Sequence, residues 1–446
     1  MFSEADRFSH YKYFNQSNAA LYAENDRFLT NERESLIATI RFNNAHKPKR
    51  RMRPMKNLKI RSITMTHSIA FTLALLLTRV ASAESDEQPQ LFEGNIGSAA
   101  IVMELTTEKD NAVTGRYFYR KHHLDIALDG IKRADGSIQL GENQDYGDDK
   151  VVDMVLHPTQ GNWQGTWQGH DAKKLKNIAI TLTPLTSKIH QPSYRLPPES
   201  SPYDQIRLNS LSLRKQKITH FGNYDLQWWL EPVSKVSFFR VVSGYPIDTL
   251  ARINTVLTNR QWQEINSYFS CQFDGARNSG GEYEVAVTPR FMNDKLLSSS
   301  VQTSYYCGGA HPDFSDNPVN MDVKTGAALQ LEDVFWLEKT KPMALKRGAH
   351  GERTEYDYET QVFGPWVSQT MTKLYPNEVG SDNKDDDCDY RDPELWQFPA
   401  FYFTPKGLHL AAYFARAARV CDNPDWAIVP WKIVNQHKGI LKMKLP

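Results

Sequence analysis

The most restrictive feature of the sequence is a period of two. Between residues 91 and 185, apolar side chains alternate with polar ones: Val113, Gly115, Tyr117 and Tyr119; Leu124, Ile126 and Leu128; Val152, Met154 and Leu156. Successive side chains of a strand point to opposite faces, so the pattern is that of strands with one buried face. Ala99 to Leu105, Ile138 to Gly141, Trp163 to Trp167 and Ile178 to Leu182 supply further short strands. Turn residues separate them, at Lys109-Asp110-Asn111, Asp129-Gly130, Asp135-Gly136, Gly147-Asp148 and Gln160-Gly161. About seven or eight strands in so short a segment predict a small all-β domain, an antiparallel up-and-down barrel or a small sandwich. Closure also leaves no strand edge for another chain to pair with. Tyr117, Tyr119, Trp163 and Trp167 form an aromatic ladder in this domain. It serves as core or rim packing, or it lines a ligand cavity in which Trp163 and Trp167 stack on a bound ring.

The whole chain, at 446 residues, is longer than one domain usually is, so a second folded unit is expected. Lys56, Lys59 and Arg61 precede an apolar run from Ile69 to Leu77, and small residues at Ala81 and Ala83 follow. This is the pattern of a secretory signal over residues 55–83, cleaved after Ala83. The run is shorter than the roughly 20 apolar residues that span a membrane. Met55 then reads as the initiator and residues 1–54 as an upstream extension foreign to the product. The rival reading is a cytoplasmic segment ahead of a retained anchor. On the first reading the mature chain is periplasmic or secreted, with no stable membrane span. Lys+Arg 53 against Asp+Glu 52 leaves a net charge of +1, which argues against a nucleic-acid binder. Four cysteines, Cys271, Cys307, Cys388 and Cys421, imply disulfides in an exported chain. Their order suggests Cys271–Cys307 and Cys388–Cys421, although four cysteines allow three connectivities. No CxxC or HxxxH spacing favours zinc instead.

Pro184, Pro192, Pro197, Pro198 and Pro202 mark a semi-rigid linker, residues 186–205. Residues 206–446 read as an α+β domain with helices packed on an antiparallel sheet. Strands are expected at Asp225 to Leu230, Val236 to Val242, Glu282 to Met292, Leu296 to Tyr306, Val319 to Val323, Phe401 to Thr404, Leu408 to Phe414 and Ala427 to Val434. Ile247, Leu250, Ile253, Leu257, Trp262, Ile265 and Phe269 have the spacing of an amphipathic helix. Further helices are expected over Leu331 to Leu337 and Glu355 to Leu374.

Within this second domain a series of short motifs occurs in a fixed order. Tyr245-Pro246 and Ile253-Asn254 come first, then Ser304-Tyr305, Gly308-Gly309-Ala310-His311-Pro312, Asn320-Met321-Asp322, Thr325-Gly326 and Leu331-Glu332-Asp333-Val334-Phe335. Phe403-Thr404-Pro405-Lys406-Gly407-Leu408 and Ile428-Val429-Pro430-Trp431 complete it. The series resembles the extracytoplasmic half of RsiV-type proteins, and in part that of PdaC-type exported proteins, over roughly residues 220–440. The Gly308 to Pro312 segment is its most specific piece. In RsiV-type proteins this region is a lysozyme receptor attached to an anti-sigma segment. The resemblance therefore implies recognition of a secreted lysozyme-like protein or a cell-wall glycan, and it brings no catalytic residues. The present chain differs in its additional β domain, its two expected disulfides and its cleavable signal.

Several residues invite chemistry and are weighed against plainer roles. His311, after a Gly-Gly turn and close to Asp313, has the side chain of a metal ligand or general base, or of a loop histidine bonded to a carbonyl. Asp385, Asp387 and Asp389 alternate like the first ligands of a calcium loop, but Tyr390 stands where glycine is needed and Trp396 where the terminal Glu belongs. With Asp386 they form a solvated acidic loop suited to a basic partner. His122, His123 and Asp125 read as surface decoration. No GxSxG elbow is present, and no Gly-Lys-Ser/Thr follows Ser279-Gly280-Gly281.

The sequence thus predicts an exported recognition protein without catalysis, cofactor or metal. Its binding surface is placed at Gly308, Gly309, His311 and Asp313, with Asp385, Asp386 and Asp387. A small-ligand or glycan module using Trp163 and Trp167 is the first alternative, and a hydrolase using His311 the second.

Overall fold

The computed structural model describes residues 88–142, 152–168, 177–185, 200–276, 280–339, 358–380, 388–441 and 445–446. The chain divides into two units, Met1–Ala81 and Ser82–Pro446, and every described residue belongs to the second. The upstream extension, the signal segment, residues 186–199 of the expected linker, and Asp385, Asp386 and Asp387 lie outside the described residues. No described helix is long and apolar enough to cross a membrane.

The period-two segment is a closed antiparallel barrel of eight strands: β1 (Gln90–Ile96), β2 (Ala99–Thr107), β3 (Ala112–Tyr119), β4 (Asp125–Lys132), β5 (Ile138–Glu142), β6 (Met154–Thr159), β7 (Asn162–Gln168) and β8 (Asn177–Pro184). Each strand pairs with the next, and β1 closes on β8 with Gly94 opposite Leu182. Alternate residues turn inward and fill the waist: Ile101, Met103, Val113, Tyr117, Leu128, Leu140, Met154 and Leu156 are essentially inaccessible. Such filling is what an eight-stranded barrel permits. Gly165 lets β6 and β7 approach closely, because a Cβ there would run into the Val155 carbonyl. Leu124 and Val152, read as the first inward residues of their strands, lie outside β4 and β6 and are 42% and 39% exposed.

The linker expectation fails at its end. Pro202–Asn209 is a helix, α1, started by Ser201, whose hydroxyl accepts from the Asp204 amide, and by Pro202 in the first turn. Proline fits there because its missing N–H would have no helical partner. The helix forms because it has a surface to cover. Tyr203 packs edge-on against Phe118 of β3, with Val102 beside them, and all three are fully buried.

Around this contact lies a buried ionic network. The Asp125 carboxylate accepts from Arg207 Nη2 at 2.5 Å and from the Tyr203 hydroxyl at 2.7 Å, while Arg116 Nη1 stands 3.4 Å away. Arg116 also meets Glu104 and Asp204. The guanidinium of Arg207 lies over the rings of Phe118, Tyr203 and Phe269. Asp125, read from sequence as surface decoration, is therefore the centre of the joint between barrel and body. Burial raises its pKa, and the two arginines oppose that rise.

After α1 come β9 (Arg214–Phe221), β10 (Tyr224–Leu230) and β11 (Ser237–Val241), a three-stranded sheet in the order β11-β10-β9. Helix α2 (Ile247–Gly275) follows and covers the edge of β11. The Asn254 amide bonds both the N–H and the C=O of Val241 at 2.8 Å, and Gln261 donates to Trp229 and Val236 carbonyls. Asn254 thus occupies backbone groups of β11 that another strand would otherwise take.

The hairpin β12 (Glu282–Met292) and β13 (Leu296–Tyr306) matches the expected bounds, and β13 also pairs with β14 (Asp313–Asp316) and β15 (Val319–Asp322). A second core follows from α3 (Leu331–Val334), a π-turn (Glu359–Phe363), α4 (Gly364–Leu374), β16 (Phe401–Phe403), β17 (Gly407–Leu410), β18 (Ile428–Pro430) and α5 (Trp431–Val434). The π-turn directly precedes Pro365, whose ring would otherwise crowd the preceding helical carbonyls. The strand expected over Ala427 to Val434 stops at Pro430, and its second half is α5, since proline at the start of a helix ends the ladder. Buried Ser298 and Asn320 join the two cores. Ser298 donates to Asn320 and accepts from the Phe403 amide, and Asn320 donates to the Phe401 carbonyl at 2.7 Å.

Candidate functional site

Strand β13 ends at Tyr306, and the chain turns through Cys307 and Gly308 into β14. Gly308 takes φ +81°, a left-handed conformation that a side chain would strain. Gly309 has no such need, because a Cβ added there meets nothing within 4 Å. The turn is anchored by the Cys271–Cys307 disulfide to the C-terminal part of α2. The second disulfide, Cys388–Cys421, joins the segment before Asp389 to a 3-10 turn at Arg416–Cys421. Both pairs are those that the order of the cysteines suggested.

Arg419 ties these loops together. It pairs with Asp313 and with Asp422, the latter at 2.9 Å, and donates to the Phe314 carbonyl at 2.8 Å. Its guanidinium lies 4.4 Å from the centre of the Phe314 ring and 4.8 Å from that of Tyr413. Asp422 in turn accepts from the Phe414 amide at 2.7 Å. Burial alone would lower the pKa of Arg419, but the bond to Asp422 and the charge of Asp313 outweigh it and raise the pKa instead. Burial raises the Asp422 pKa against the opposing pull of the Phe414 amide and Arg419. The rigid surface that results presents Tyr413, 60% exposed, and Val420, 74% exposed.

Beneath it, Asp316 accepts from Ser300 at 2.8 Å, the Val301 amide at 3.0 Å and Asn423 at 3.3 Å. His409, fully buried, donates from Nε2 to the Pro424 carbonyl at 2.9 Å and stacks on Tyr402 with ring centres 4.2 Å apart. Burial pushes its imidazole down to about 4.

The sequence-derived site residues are only partly assembled here. Gly308, Gly309 and His311 lie between β13 and β14, and Asp313 opens β14. Asp313 turns to Arg419, whereas His311 Nδ1 lies 3.0 Å from the Pro312 carbonyl. The two are not a hydrogen-bonded acid–base pair. Trp163 and Trp167 both face the barrel interior, but they stand four residues apart on β7, roughly 13 Å at strand rise. Trp163 sits near the β6–β7 turn, opposite Pro158. Trp167 is at the other end, where its indole and the Tyr117 hydroxyl donate to one Glu142 oxygen at 2.7 and 2.6 Å. The barrel thus separates them into different surroundings. Arg419, Asp422, Tyr413 and Val420 were not singled out from sequence, and the nearby Cys421 is the only local cue to them. Among the described residues, no group of three His, Cys, Asp or Glu side chains is placed to hold a metal.

No family model matches the chain, and no curated protein matches it. Among solved structures, the chain is similar to a member of the DUF3298 family from Bacteroides fragilis at 12% sequence identity. That similarity covers 51% of this chain and 94% of the other, with a TM-score of 0.25.

Proposed function

We propose that this is an exported envelope protein that recognises a protein partner through the loops around Arg419, without catalysis. The partner class is a secreted, basic, lysozyme-like wall enzyme, as the RsiV-type resemblance implies. One observation carries the reading: two disulfides and the Asp313–Arg419–Asp422 pairs hold the loops, while Tyr413 and Val420 stay exposed. A surface fixed before binding loses little conformational freedom on association, and an exposed aromatic beside an arginine has the make-up of an interface anchor. The acidic residues Asp385, Asp386 and Asp387 belong to the same proposal as a source of electrostatic steering.

The test is titration calorimetry of the chain from Glu84 against a basic lysozyme at low and moderate salt. Saturable binding that weakens with salt is expected, and Tyr413→Ala should weaken it by about thirtyfold, the equivalent of roughly 2 kcal/mol. Absence of heat at both salts removes this partner. Undiminished affinity in Tyr413→Ala and Val420→Asp together removes this surface.

A second reading, a small ligand at the barrel mouth, is favoured by the polar grouping of Tyr117, Glu142 and Trp167 at one end of an otherwise apolar interior. Because Trp163 lies at the far end, the residue to change is Trp167. Glycan binding unaffected by Trp167→Phe would count against this reading.

A further inference from the structure

Strand β9 is an open edge. In the sheet order β11-β10-β9 it pairs with β10 alone. The opposite edge of that sheet is occupied, because Asn254 bonds both backbone groups of Val241, and Arg419 takes the Phe314 carbonyl on β14, an edge strand of the next sheet. Among the described residues, no strand or side chain covers the outer side of β9 in this way. The register shows which of its backbone groups are free. Asp225 stands opposite His220, and its own N–H and C=O turn away, to the Ser243 hydroxyl at 3.2 Å and the Val242 amide at 2.9 Å. Opposed residues of an antiparallel pair that do not exchange hydrogen bonds both aim their backbone groups outward. His220 therefore offers its N–H and C=O to the open side, and Ile218, two residues earlier, does the same. A bulge at Gln216–Lys217, where two residues face Trp228, ends this regular stretch.

The side chains along the edge have one sign of charge. Arg214, Lys215 and Lys217 are all exposed, and β9 contains no acidic residue. On the neighbouring strand, the Asp225 carboxylate is held by His220 at 2.6 Å. Ile218, in the middle of the regular stretch, is 52% exposed and adds an apolar contact between the charges. Cations on an edge strand repel a second copy of the same edge, which is how sheet proteins keep such edges from pairing with themselves. The same charges attract an acidic strand.

We propose that β9 docks an extended acidic segment of a partner protein by strand addition. The segment exchanges main-chain hydrogen bonds with Ile218 and His220, as strand addition to an open edge does. Its carboxylates meet Arg214, Lys215 and Lys217, and an apolar residue between them covers Ile218. The regular stretch is short, so neither part suffices alone: backbone bonds align the segment, and charge selects it. This edge belongs to a different sheet from the loops around Arg419, and its occupant is acidic where the partner proposed for those loops is basic. Binding at β9 therefore stands or falls separately from recognition at Arg419.

The experiment is fluorescence anisotropy of a short labelled peptide of alternating glutamate and valine, titrated with the whole exported chain at low salt. Saturable binding is expected, and the double variant Lys215→Glu, Lys217→Glu, changed only on the surface, should weaken it about tenfold or more. A peptide of alternating lysine and valine should not bind. The glutamate peptide N-methylated along its backbone keeps its charge but loses its N–H donors, and should bind about tenfold more weakly. Absence of saturable binding, equal binding of the lysine peptide, or undiminished affinity in the double variant overturns the proposal. Undiminished binding of the N-methylated peptide also overturns it, by leaving charge attraction without strand addition.

Discussion

Lowering the pH should destabilise this protein through His409 in a window that the structure defines. The imidazole is fully buried between Tyr402 and the Pro424 carbonyl, and burial takes its pKa from 6.5 to about 4. Arg290 opposes protonation further, and the Pro424 bond and Asp425 offset only part of the effect. Between these two values the unfolded chain binds a proton at this position and the folded chain does not. Stability therefore rises with pH across the window and is lost as pH falls from about 6.5 towards 4. Each tenfold change in proton affinity is worth about 1.4 kcal/mol, so the fall from 6.5 to about 4 amounts to about 3 kcal/mol once the window has been crossed. The perturbation is His409→Gln, which keeps an amide donor for the Pro424 carbonyl and removes the titration. Urea unfolding of both proteins at pH 7, 6, 5 and 4 gives two stability curves, and their difference cancels the carboxylates common to both. Stability of the wild type relative to the variant should fall by about 3 kcal/mol between pH 7 and pH 4. A difference that stays flat over that range refutes the claim that His409 is held neutral by burial.

The joint between barrel and body should be equally sensitive. Asp125→Asn leaves Arg207 buried without its closest carboxylate and should cost about 3–5 kcal/mol by chemical denaturation; a cost below about 1 kcal/mol would deny the network its structural role. The double replacement Asp125→Leu with Arg207→Met should recover most of that loss, because it removes both charges together. Each disulfide closes a loop between cysteines 36 or 33 residues apart and should contribute about 4 kcal/mol in the chain-entropy view. Thermal unfolding of the Cys271→Ser, Cys307→Ser variant measures this, and an unchanged midpoint would contradict it.

Much of the fold was legible because its signals are local. The alternation in β3 and the turn residues around it follow from the two-residue period of any half-buried strand, and the long hairpin β12–β13 has its bounds written in an Asn293-Asp294 turn between apolar runs. The heptad-like spacing of α2 belongs to the same class, although the helix runs on to Gly275. Two readings went astray where a distant partner overrode the local signal. Pro202 looked like linker and begins a helix, because Phe118 and Val102 offer Tyr203 a surface to bury against. Asp125 looked like decoration and is the centre of a buried network whose arginines come from β3 and α1. Trp163 and Trp167 pack against the barrel core at opposite ends of a strand, a separation that sequence does not show, because it gives the face of a residue and not its height in a barrel.

The candidate site divides in the same way. Gly308 to Asp313 stood out because adjacent glycines and a cysteine at a strand end are conspicuous in sequence. Arg419, which organises the loops around it, sits more than a hundred residues further along the chain and looks ordinary there. Periodicity, turn chemistry and cysteine order are properties of neighbouring residues, so the sequence by itself determined most of the barrel strands, the β12–β13 hairpin, the long helix and the β-rich class of this protein. Compensation of charge is a property of the space around a side chain. Only the tertiary structure could decide that Arg207 is paired and that Asp313 faces Arg419.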